Sequence, residues 1–239
     1  MPKIALAQIE VYDNLNKNIK KVLEYINKAS IKNADIVCFP ESCLGDEVLN
    51  LYSKEIKQIQ NKCKEKSIYC IFGCHIKENN KIYNSALLIN RNGEVQYKYN
   101  KRNLFNGLDL SKTSPGKENK VIKTDFGKIG IIICWDFAFP EHIKELAKNG
   151  AEIIFCPSYL LDDSGISKDV FRSYPLTRAF ENLSFFVSCD AFTNEVLCES
   201  YICSPLKIMN KIKNREGIIF SDLDLNLIKR LRKKYNCLD

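Results

Sequence analysis

Three residue types with complementary chemistry follow apolar, strand-like segments of this sequence. Glu41 comes directly after DIVCFP, Lys98 and Lys101 close the segment GEVQYKYNK, and Cys134 ends KIGIIIC. The ends of neighbouring strands in an α/β fold meet at one edge of a sheet, where functional residues collect. We therefore expect a carboxylate, an ammonium group and a thiol to lie close together.

Such a group can form a nucleophilic site without histidine. The carboxylate can take the thiol proton as a general base, and the lysine can stabilise the thiolate and later the oxyanion of a tetrahedral intermediate. The residue pattern does not choose the cysteine, because Cys156 also ends an apolar run, AEIIFC. The residues thus indicate a cysteine hydrolase whose nucleophile is Cys134 or Cys156.

Histidine and metal chemistry have little support in the sequence. His75 lies in a strand-like run, and His142 follows Cys134 by eight residues at a predicted helix start. Core packing or a helix end is the ordinary explanation for both. Cys70, Cys74 and His75 lack the paired C-x-x-C spacing of structural zinc sites. We expect no metal ion and no other cofactor.

The elements that position these residues alternate between strands and helices. Strands are predicted at 3–11, 35–39, 67–76, 82–90, 93–101, 128–134, 151–158 and 184–190, with short strands in 201–221. Helices are predicted at 16–30, around Ile56, Ile59 and Cys63, at 141–150, at 169–183 and from 226. Continuously apolar strands are typical of sheets that are covered on both faces. Since no composition break divides the chain, we predict one α/β domain over residues 1–239.

Composition and charge argue against several classes of protein. The 36 basic and 29 acidic residues give a net charge of +7, and the densest basic run, 229–234, has no aromatic interleaving. We expect a solvated helix face there and no nucleic-acid partner. No apolar run reaches the roughly 18 residues of a membrane-spanning helix, and the first residues do not resemble a signal peptide. Eleven cysteines, an odd number, then predict a reduced, cytoplasmic chain.

Taken together, the motifs strongly resemble the nitrilase superfamily, the carbon–nitrogen hydrolases with a Glu-Lys-Cys triad. The resemblance covers nearly the whole chain. It is carried in order by KIALAQIEVYDNLNKNIKK, ADIVCFPES, GEVQYKYNKRNLF, GIIICWDFAFPE, TRAFENLSFFVSCD and EGIIFSDLDLNLIKRLR. It implies that Glu41 is the base, Lys101 the catalytic lysine and Cys134, rather than Cys156, the nucleophile.

The same resemblance implies a fold and a mechanism. The fold is a four-layer α-β-β-α sandwich that usually forms a homodimer or higher homo-oligomer through its helices. Glu41 would deprotonate Cys134, whose thiolate attacks the carbon of a C–N bond, so that ammonia or an amine leaves and water hydrolyses the thioester. Lys101 and the backbone N–H of Trp135 would hold the oxyanion.

Two positions near the triad depart from the family pattern. Many amide-cleaving members carry a second glutamate before a Pro-Gly, and counting back from Pro115-Gly116 places Asp109 there, with a side chain one methylene shorter. Asn103 stands where a histidine is frequent and can form hydrogen bonds but cannot titrate. We interpret Asp109 as a second acid or as an ordinary loop residue, and Asn103 as a candidate substrate-binding residue.

Three further positions bear on the substrate. Asp136 after Trp135 resembles amidases and carbamoylases, because true nitrilases usually carry glutamate there. Ala138 replaces an arginine that binds the substrate carboxylate in carbamoyl-amino-acid hydrolases. Tyr159 begins a predicted lid or specificity loop, 159–175, which also holds Asp162 and Asp163. That acidic pair would hold an amine-bearing substrate or be ordinary loop polarity, and we name Asp136, Ala138 and Tyr159 as candidate substrate-binding positions.

The prediction is a cysteine-dependent hydrolase of a non-peptide C–N bond. Its substrate would be a small linear amide or carbamoyl compound, and it would release ammonia through a thioester intermediate. Two alternatives stay open at this point, a nitrilase that acts on a nitrile and a catalytically silent binding protein on the same scaffold.

Overall fold

A computed structural model describes residues 1–105 and 108–235 of the chain. Two β-sheets form its centre. The first has seven strands: β1 (Lys3–Gln8), β2 (Ile36–Cys38), β3 (Val48–Leu49), β4 (Tyr69–Glu78), β5 (Lys81–Ile89), β6 (Val95–Asn100) and β13 (Gly217–Asp222). They are ordered β13-β1-β2-β4-β5-β6, with β3 beside β4. The neighbours β1, β2 and β4 run parallel, as expected for strands joined by helices.

The second sheet has six strands in the order β12-β11-β10-β9-β8-β7. They are β7 (Ile122–Lys123), β8 (Lys128–Ile131), β9 (Ile153–Pro157), β10 (Phe185–Cys189), β11 (Glu199–Ser204) and β12 (Lys207–Lys213). The helices are α1 (Leu15–Ile31), α2 (Lys54–Lys66), α3 (Leu108–Lys112), α4 (Pro140–Lys148), α5 (Lys168–Glu181) and α6 (Leu225–Tyr235). No helix in the described ranges is both long enough and apolar enough to cross a membrane.

Strand β1 shows how the sequence builds the layers. Its side chains alternate between the two faces of the sheet. Ile4 and Leu6 enter the core between the sheets, whereas Ala5 and Ala7 face the core under helices α1 and α2. Helices α4, α5 and α6 pack around the second sheet. The predicted four-layer α-β-β-α sandwich is confirmed.

Helix α1 follows the predicted stripe closely. Asn14 caps it, because its side-chain oxygen accepts the Lys17 N–H at 3.0 Å. Ile19, Val22 and Ile26 are buried along one face. Their burial against the first sheet provides the main stabilisation, because isolated helices of this length are marginal in water.

One hairpin was missed from the sequence. Strand β4 continues to Glu78 and turns back directly into β5 through Asn79 and Asn80. Both asparagines have positive φ, 47° and 61°, the left-handed conformation that tight hairpin turns need and that asparagine tolerates. The predicted hairpin around 90–93 is also present, as β5 and β6.

The predicted strands of 201–221 divide between the two sheets. Strands β11 and β12 extend the second sheet, and β13 pairs antiparallel with β1 in the first. The sequence pattern predicts strands there but does not specify their partners.

Candidate active site

Cys134 lies at a sharp turn after β8. The strand ends at Ile131 rather than at Cys134 as predicted, and a short 3-10 helix occupies Cys134–Ala138. Cys134 has a φ of +41°, which is unfavourable for a residue with a β-carbon and often marks a functional site. Its thiol donates to the Tyr159 carbonyl oxygen at 3.7 Å.

Asp136 holds this turn in place. Its Oδ2 accepts the Ile133 N–H at 3.0 Å and the Tyr99 hydroxyl at 2.8 Å. Its Oδ1 accepts the backbone N–H and the side-chain amide of Asn103 at 2.8 and 2.9 Å. Burial raises the pKa of Asp136, although these hydrogen bonds oppose the shift. The Asp136 carboxylate therefore links the turn at Cys134 to the loop that follows β6.

These contacts change the interpretation of two predicted substrate-binding residues. Asp136 is fully buried, and neither Asp136 nor Asn103 is among the residues that line the cavity in front of Cys134. They bind each other behind the turn, because the carboxylate is the acceptor for donors on both segments. Their role is therefore to position other groups.

Glu41 comes just after β2 and packs against β4. A β-carbon built on Gly73 of β4 would lie 2.6 Å from Glu41 Cα and 2.5 Å from the Ser42 nitrogen. Only glycine at 73 allows this close approach of two backbones. Glu41 is 4% exposed, so its carboxylate is held in a largely dehydrated environment.

Backbone contacts fix Lys101 at the end of β6. Its N–H donates to the Asn84 carbonyl at 2.9 Å, and its own carbonyl accepts the Gly116 N–H at 2.8 Å. A β-carbon on Gly116 would lie 2.1 Å from the Asn100 carbonyl oxygen, so glycine is required there too. Lys98 instead binds Glu78 at 2.6 Å and does not line the cavity.

The Lys101 ammonium group is shared between two carboxylates. Its Nζ lies 2.8 Å from Glu41 Oε1 and 2.6 Å from Asp109 Oδ2. Burial alone would lower the pKa of Lys101, but the charges of Glu41, Cys134 and Asp109 raise it above its ordinary value. Burial opposes ionisation of Asp109 as well, but Lys101 outweighs it and lowers the pKa of that carboxyl. Lys101 and Asp109 are therefore both charged at neutral pH.

Asn84 is a member of the site that sequence reasoning missed. Its side-chain Nδ2 donates to Glu41 Oε1 at 2.7 Å and to Asp109 Oδ1 at 3.3 Å. A signal was present, since Asn84 and Ser85 interrupt the apolar strand IYNSALLI, and polar side chains in buried strands need partners.

The environment of Cys134 favours the thiol form. Burial and the Glu41 charge raise the pKa of Cys134 well above its ordinary value, and Lys101 only partly offsets them. The thiol is therefore protonated at rest and needs a base before it can attack. Cys156 is fully buried with a pKa raised by burial to about 12, and it does not line the cavity.

A cavity of about 350 Å³ opens in front of these groups. Glu41, Lys101, Asp109, Cys134 and Asn84 all line it. Aromatic side chains form a large part of its lining: Phe105, Trp135, Phe137, Tyr159 and Phe171. The Phe105 and Trp135 rings meet edge to face with centroids 5.0 Å apart, a contact that helps to fix the Trp135 side chain next to Cys134. The volume suits a small molecule.

The predicted lid forms one wall of this cavity. It contributes Tyr159, Leu160, Leu161, Ser164, Ile166 and Phe171. The acidic pair does not take part. Asp162 binds Lys168 at 2.9 Å, and neither Asp162 nor Asp163 lines the cavity. The interpretation of this pair as an amine-binding site is therefore wrong.

Ala138 lies outside the cavity in front of Cys134. It lines an adjacent cavity of about 380 Å³, together with Trp135, Phe137 and Arg178. Arg178 donates from Nε to the Phe137 carbonyl at 2.8 Å and pairs with Glu181 at 2.7 Å. Arg178 thus supports the 3-10 helix, and Ala138 lines this second cavity rather than the one in front of Cys134.

Neither histidine contacts the thiol. His142 is buried, with its Nε2 3.5 Å from the Tyr99 hydroxyl, and burial and Arg102 lower its pKa to about 4. The ring is therefore neutral, and its 3.9 Å distance from Asp136 is not an ion pair. His75 lines the cavity, with its Nδ1 unpartnered. Within 1–105 and 108–235, no group of three His, Cys, Asp or Glu side chains is arranged to hold a metal ion.

Residues 3–233 match the family model for carbon–nitrogen hydrolases. The chain belongs to the carbon–nitrogen hydrolase family. It is 28% identical to the deaminated glutathione amidase of Dictyostelium discoideum, covering 98% of this chain and 91% of that protein. It is 26% identical to the 2-oxoglutaramate amidase of Bacillus subtilis, over 99% of this chain and 96% of that protein. The prediction of a hydrolase for C–N bonds other than peptide bonds is confirmed.

Solved structures of this family have the same fold. A carbon–nitrogen hydrolase from Helicobacter pylori superposes with a TM-score of 0.92 at 17% identity, over 99% of this chain and 94% of that one. Nit3 of Saccharomyces cerevisiae, a nitrilase-superfamily member, gives a TM-score of 0.88 at 23% identity, over 98% and 94%. The recognition of the nitrilase superfamily from the motifs is also confirmed.

Proposed function

We propose that this carbon–nitrogen hydrolase is an amidase for small linear amides or related carbamoyl compounds, with Cys134 as its nucleophile. One observation carries the proposal. Cys134 lines a small cavity together with Lys101, whose ammonium group is paired with Glu41 and Asp109. The amidase names of two relatives support the choice of an amide over a nitrile.

Acylation begins with transfer of the Cys134 proton to Glu41. The thiolate then attacks the amide carbonyl carbon, and the C–O π electrons move to oxygen. Lys101 and the Trp135 N–H stabilise this oxyanion; Trp135 lies in the first turn of the 3-10 helix, where N–H groups lack intrahelical acceptors. Collapse of the intermediate breaks the C–N bond, and the nitrogen leaves with the proton that Glu41 had taken.

Deacylation uses the same groups in the second half of the cycle. Glu41 takes a proton from water, the hydroxide attacks the thioester carbon, and the C–S bond breaks. The carboxylic acid leaves, and the proton on Glu41 returns to the Cys134 thiolate. Glu41 must therefore act as base twice in one turnover, and any group that holds its carboxylate acts on both halves.

The charges around the cavity narrow the substrate. Five carboxylates line it, those of Asp13, Glu41, Asp46, Asp109 and Glu195, against the ammonium groups of Lys101 and Lys112. Both lysines are already paired, Lys112 with Asp46 at 3.1 Å. No arginine is among the described lining residues. We therefore favour neutral or amine-bearing amides over amides that carry a carboxylate.

The test is ammonia release from a panel of amides, N-carbamoyl compounds and nitriles by wild type, Cys134→Ala and Cys156→Ala. Intact-protein mass spectrometry follows the acyl adduct. We expect amide turnover and an adduct in wild type and Cys156→Ala and neither in Cys134→Ala. Turnover of nitriles alone would favour a nitrilase. If no compound of the panel is hydrolysed and a thiol probe does not label Cys134 selectively, the result would favour a binding protein.

We also propose a homodimer in the cytoplasm. Helix α5 presents two apolar side chains to solvent, Val170 at 46% and Phe180 at 63% exposure, and a two-fold axis beside this helix would cover both. The cytoplasmic assignment is supported by the ten described cysteines, which are all free and buried. Light scattering of wild type and Phe180→Asp tests the dimer, and the variant is expected to be monomeric.

A further inference from the structure

Asn84 lies in β5 at the point where the first sheet meets the ion cluster. It is 2% exposed. Its backbone pairs with His75 of β4, and its carbonyl accepts the Lys101 N–H. Its side-chain amide has carboxylate oxygens of Glu41 and Asp109 on the same side, 2.7 and 3.3 Å away. Only the NH₂ group can donate to both, so the orientation of the amide follows from its neighbours.

This arrangement concentrates the hydrogen bonds of Glu41 on one oxygen. Oε1 accepts from Lys101 Nζ at 2.8 Å and from Asn84 Nδ2 at 2.7 Å. Oε2 has no protein donor among the described residues. Two donors on one oxygen hold the plane of the carboxylate, because a partial rotation about the Cγ–Cδ bond moves that oxygen away from both donors. Oε2 is then left as the oxygen that exchanges a proton with thiol or water.

The charge balance of the ion cluster separates Asn84 from an ordinary buried asparagine. Its Oδ1 is buried and has no hydrogen-bond partner. The amide is therefore held by what its NH₂ group donates to, the two carboxylates of the cluster. A neutral donor between two carboxylates is what the cluster needs, because Lys101 supplies one positive charge to two negative ones.

We propose that Asn84 is a positioning residue for the base, acting through Glu41 in both halves of the reaction. It holds Oε1 of Glu41 away from the proton-transfer path and donates to Asp109 Oδ1 as well. The expected effect on kcat rests on the proposed function, because it requires a substrate. The expected effect on the reactivity of Cys134, which Asn84 maintains through Glu41, does not depend on the substrate.

The test compares Asn84→Ala and Asn84→Asp with Asn182→Ala. Asn182 is a matched control. It is also fully buried, its Nδ2 donates to the Arg178 carbonyl at 3.0 Å and to Glu181 at 3.3 Å, and its Oδ1 is unpartnered. It has no contact with the cavity. The readouts are kcat and KM as functions of pH, and the rate at which iodoacetamide alkylates Cys134.

We expect Asn84→Ala to lose roughly 100-fold in kcat with little change in KM, because a misplaced base slows both proton transfers. The acid limb of kcat/KM should move up by about one pH unit, since a carboxylate that loses a donor is protonated more easily. Alkylation of Cys134 should slow in parallel. Asn84→Asp keeps the shape but adds a third carboxylate, so it should be the slower variant at neutral pH and regain activity on acidification.

Two results would overturn the proposal. One is a loss in Asn84→Ala no larger than in Asn182→Ala. The other is a uniform fall in kcat with the acid limb and the alkylation rate unchanged, as a purely structural role predicts. If Asn84→Ala does not fold, the isosteric Asn84→Asp decides by the same two readouts. If wild type hydrolyses no amide, the alkylation rates still decide, so failure of the proposed function is distinguishable from failure of this one.

Discussion

The ammonium nitrogen of Lys101 lies 2.6 Å from Asp109 Oδ2. An aspartate reaches the lysine although its side chain is one methylene shorter than the glutamate of many amide-cleaving relatives. The same Oδ2 accepts the Phe105 N–H at 3.1 Å, and Asp109 lies in the first turn of α3. Backbone placement therefore makes up for the shorter side chain, and Lys101 is shared between two carboxylates.

Neutralising Asp109 should weaken the site without unfolding it. In Asp109→Asn, Lys101 keeps only Glu41 as an anionic partner, so the ammonium group is drawn away from the oxyanion position. We expect kcat/KM to fall by roughly 10- to 100-fold. Initial rates on the best amide of the panel provide the measurement. Asp224→Asn, which removes an exposed ion pair with Arg230, is the control and should be neutral. Full activity in Asp109→Asn would show that the Asp109 charge has no part in catalysis.

Replacing Asp136 should separate positioning from direct contact. Both oxygens of Asp136 accept hydrogen bonds, from Ile133, Tyr99 and Asn103. An asparagine replaces one of these oxygens with an NH₂ group, which faces donors and cannot accept their hydrogen bonds. We expect Asp136→Asn to lose about 2–4 kcal/mol of unfolding free energy and nearly all activity. Tyr99→Phe removes only one donor and should cost about 1 kcal/mol. Urea denaturation and rates measure both. Equal effects of the two variants would contradict a multi-donor role for Asp136.

Acidification should destabilise the fold through His142. Its pKa is lowered from 6.5 to about 4, so between these values the unfolded chain binds more protons than the folded one. Stability contributed by the neutral ring is present above pH 6.5 and is lost as the pH falls to about 4, a difference of about 3 kcal/mol. Urea denaturation between about pH 7 and about pH 4.5 measures the slope. The slope should be shallower in His142→Gln, and an unchanged slope would assign the effect to other groups.

The charge of the substrate should affect its rate of hydrolysis. We expect a small neutral amide to be hydrolysed at least about tenfold faster, by kcat/KM, than an isosteric amide that carries a carboxylate. Added salt should narrow the difference, because it screens exposed charges. Asp13→Asn and Glu195→Gln remove the charge of cavity-lining carboxylates outside the ion cluster. Each should therefore also reduce the difference in kcat/KM between the two amides. Glu216→Gln, whose partner Lys21 lies outside the cavity, is the control. A preference for the carboxylate-bearing amide would contradict the charge argument.

Much of the fold could be predicted because its signals are local. The apolar stripe of α1 at 16–30, the strand 35–39 and the helix start near Pro140 depend on periodicity and capping within a few residues. The hairpin through Asn79 and Asn80 was missed because no glycine marks it. The partners of β11, β12 and β13 were not specified, since strand pairing depends on contacts distant in sequence.

The sequence by itself determined which kinds of chemical group end which strands, and the motif order that places the chain among the carbon–nitrogen hydrolases. The motifs also favoured Lys101 and Cys134, and the tertiary structure gives the reason, since Lys101 rather than Lys98 contacts Glu41 and Cys134 rather than Cys156 lines the cavity. Only the tertiary structure showed that Asp136 and Asn103 lie behind the turn and outside the cavity. It also revealed Asn84 as the donor that two carboxylates share. The physical reason is that residue type and periodicity are local properties of the sequence. The contacts of these residues depend instead on how β2, β4, β5 and β6 pair, and on which side chains then lie within roughly 3 Å of a buried charge.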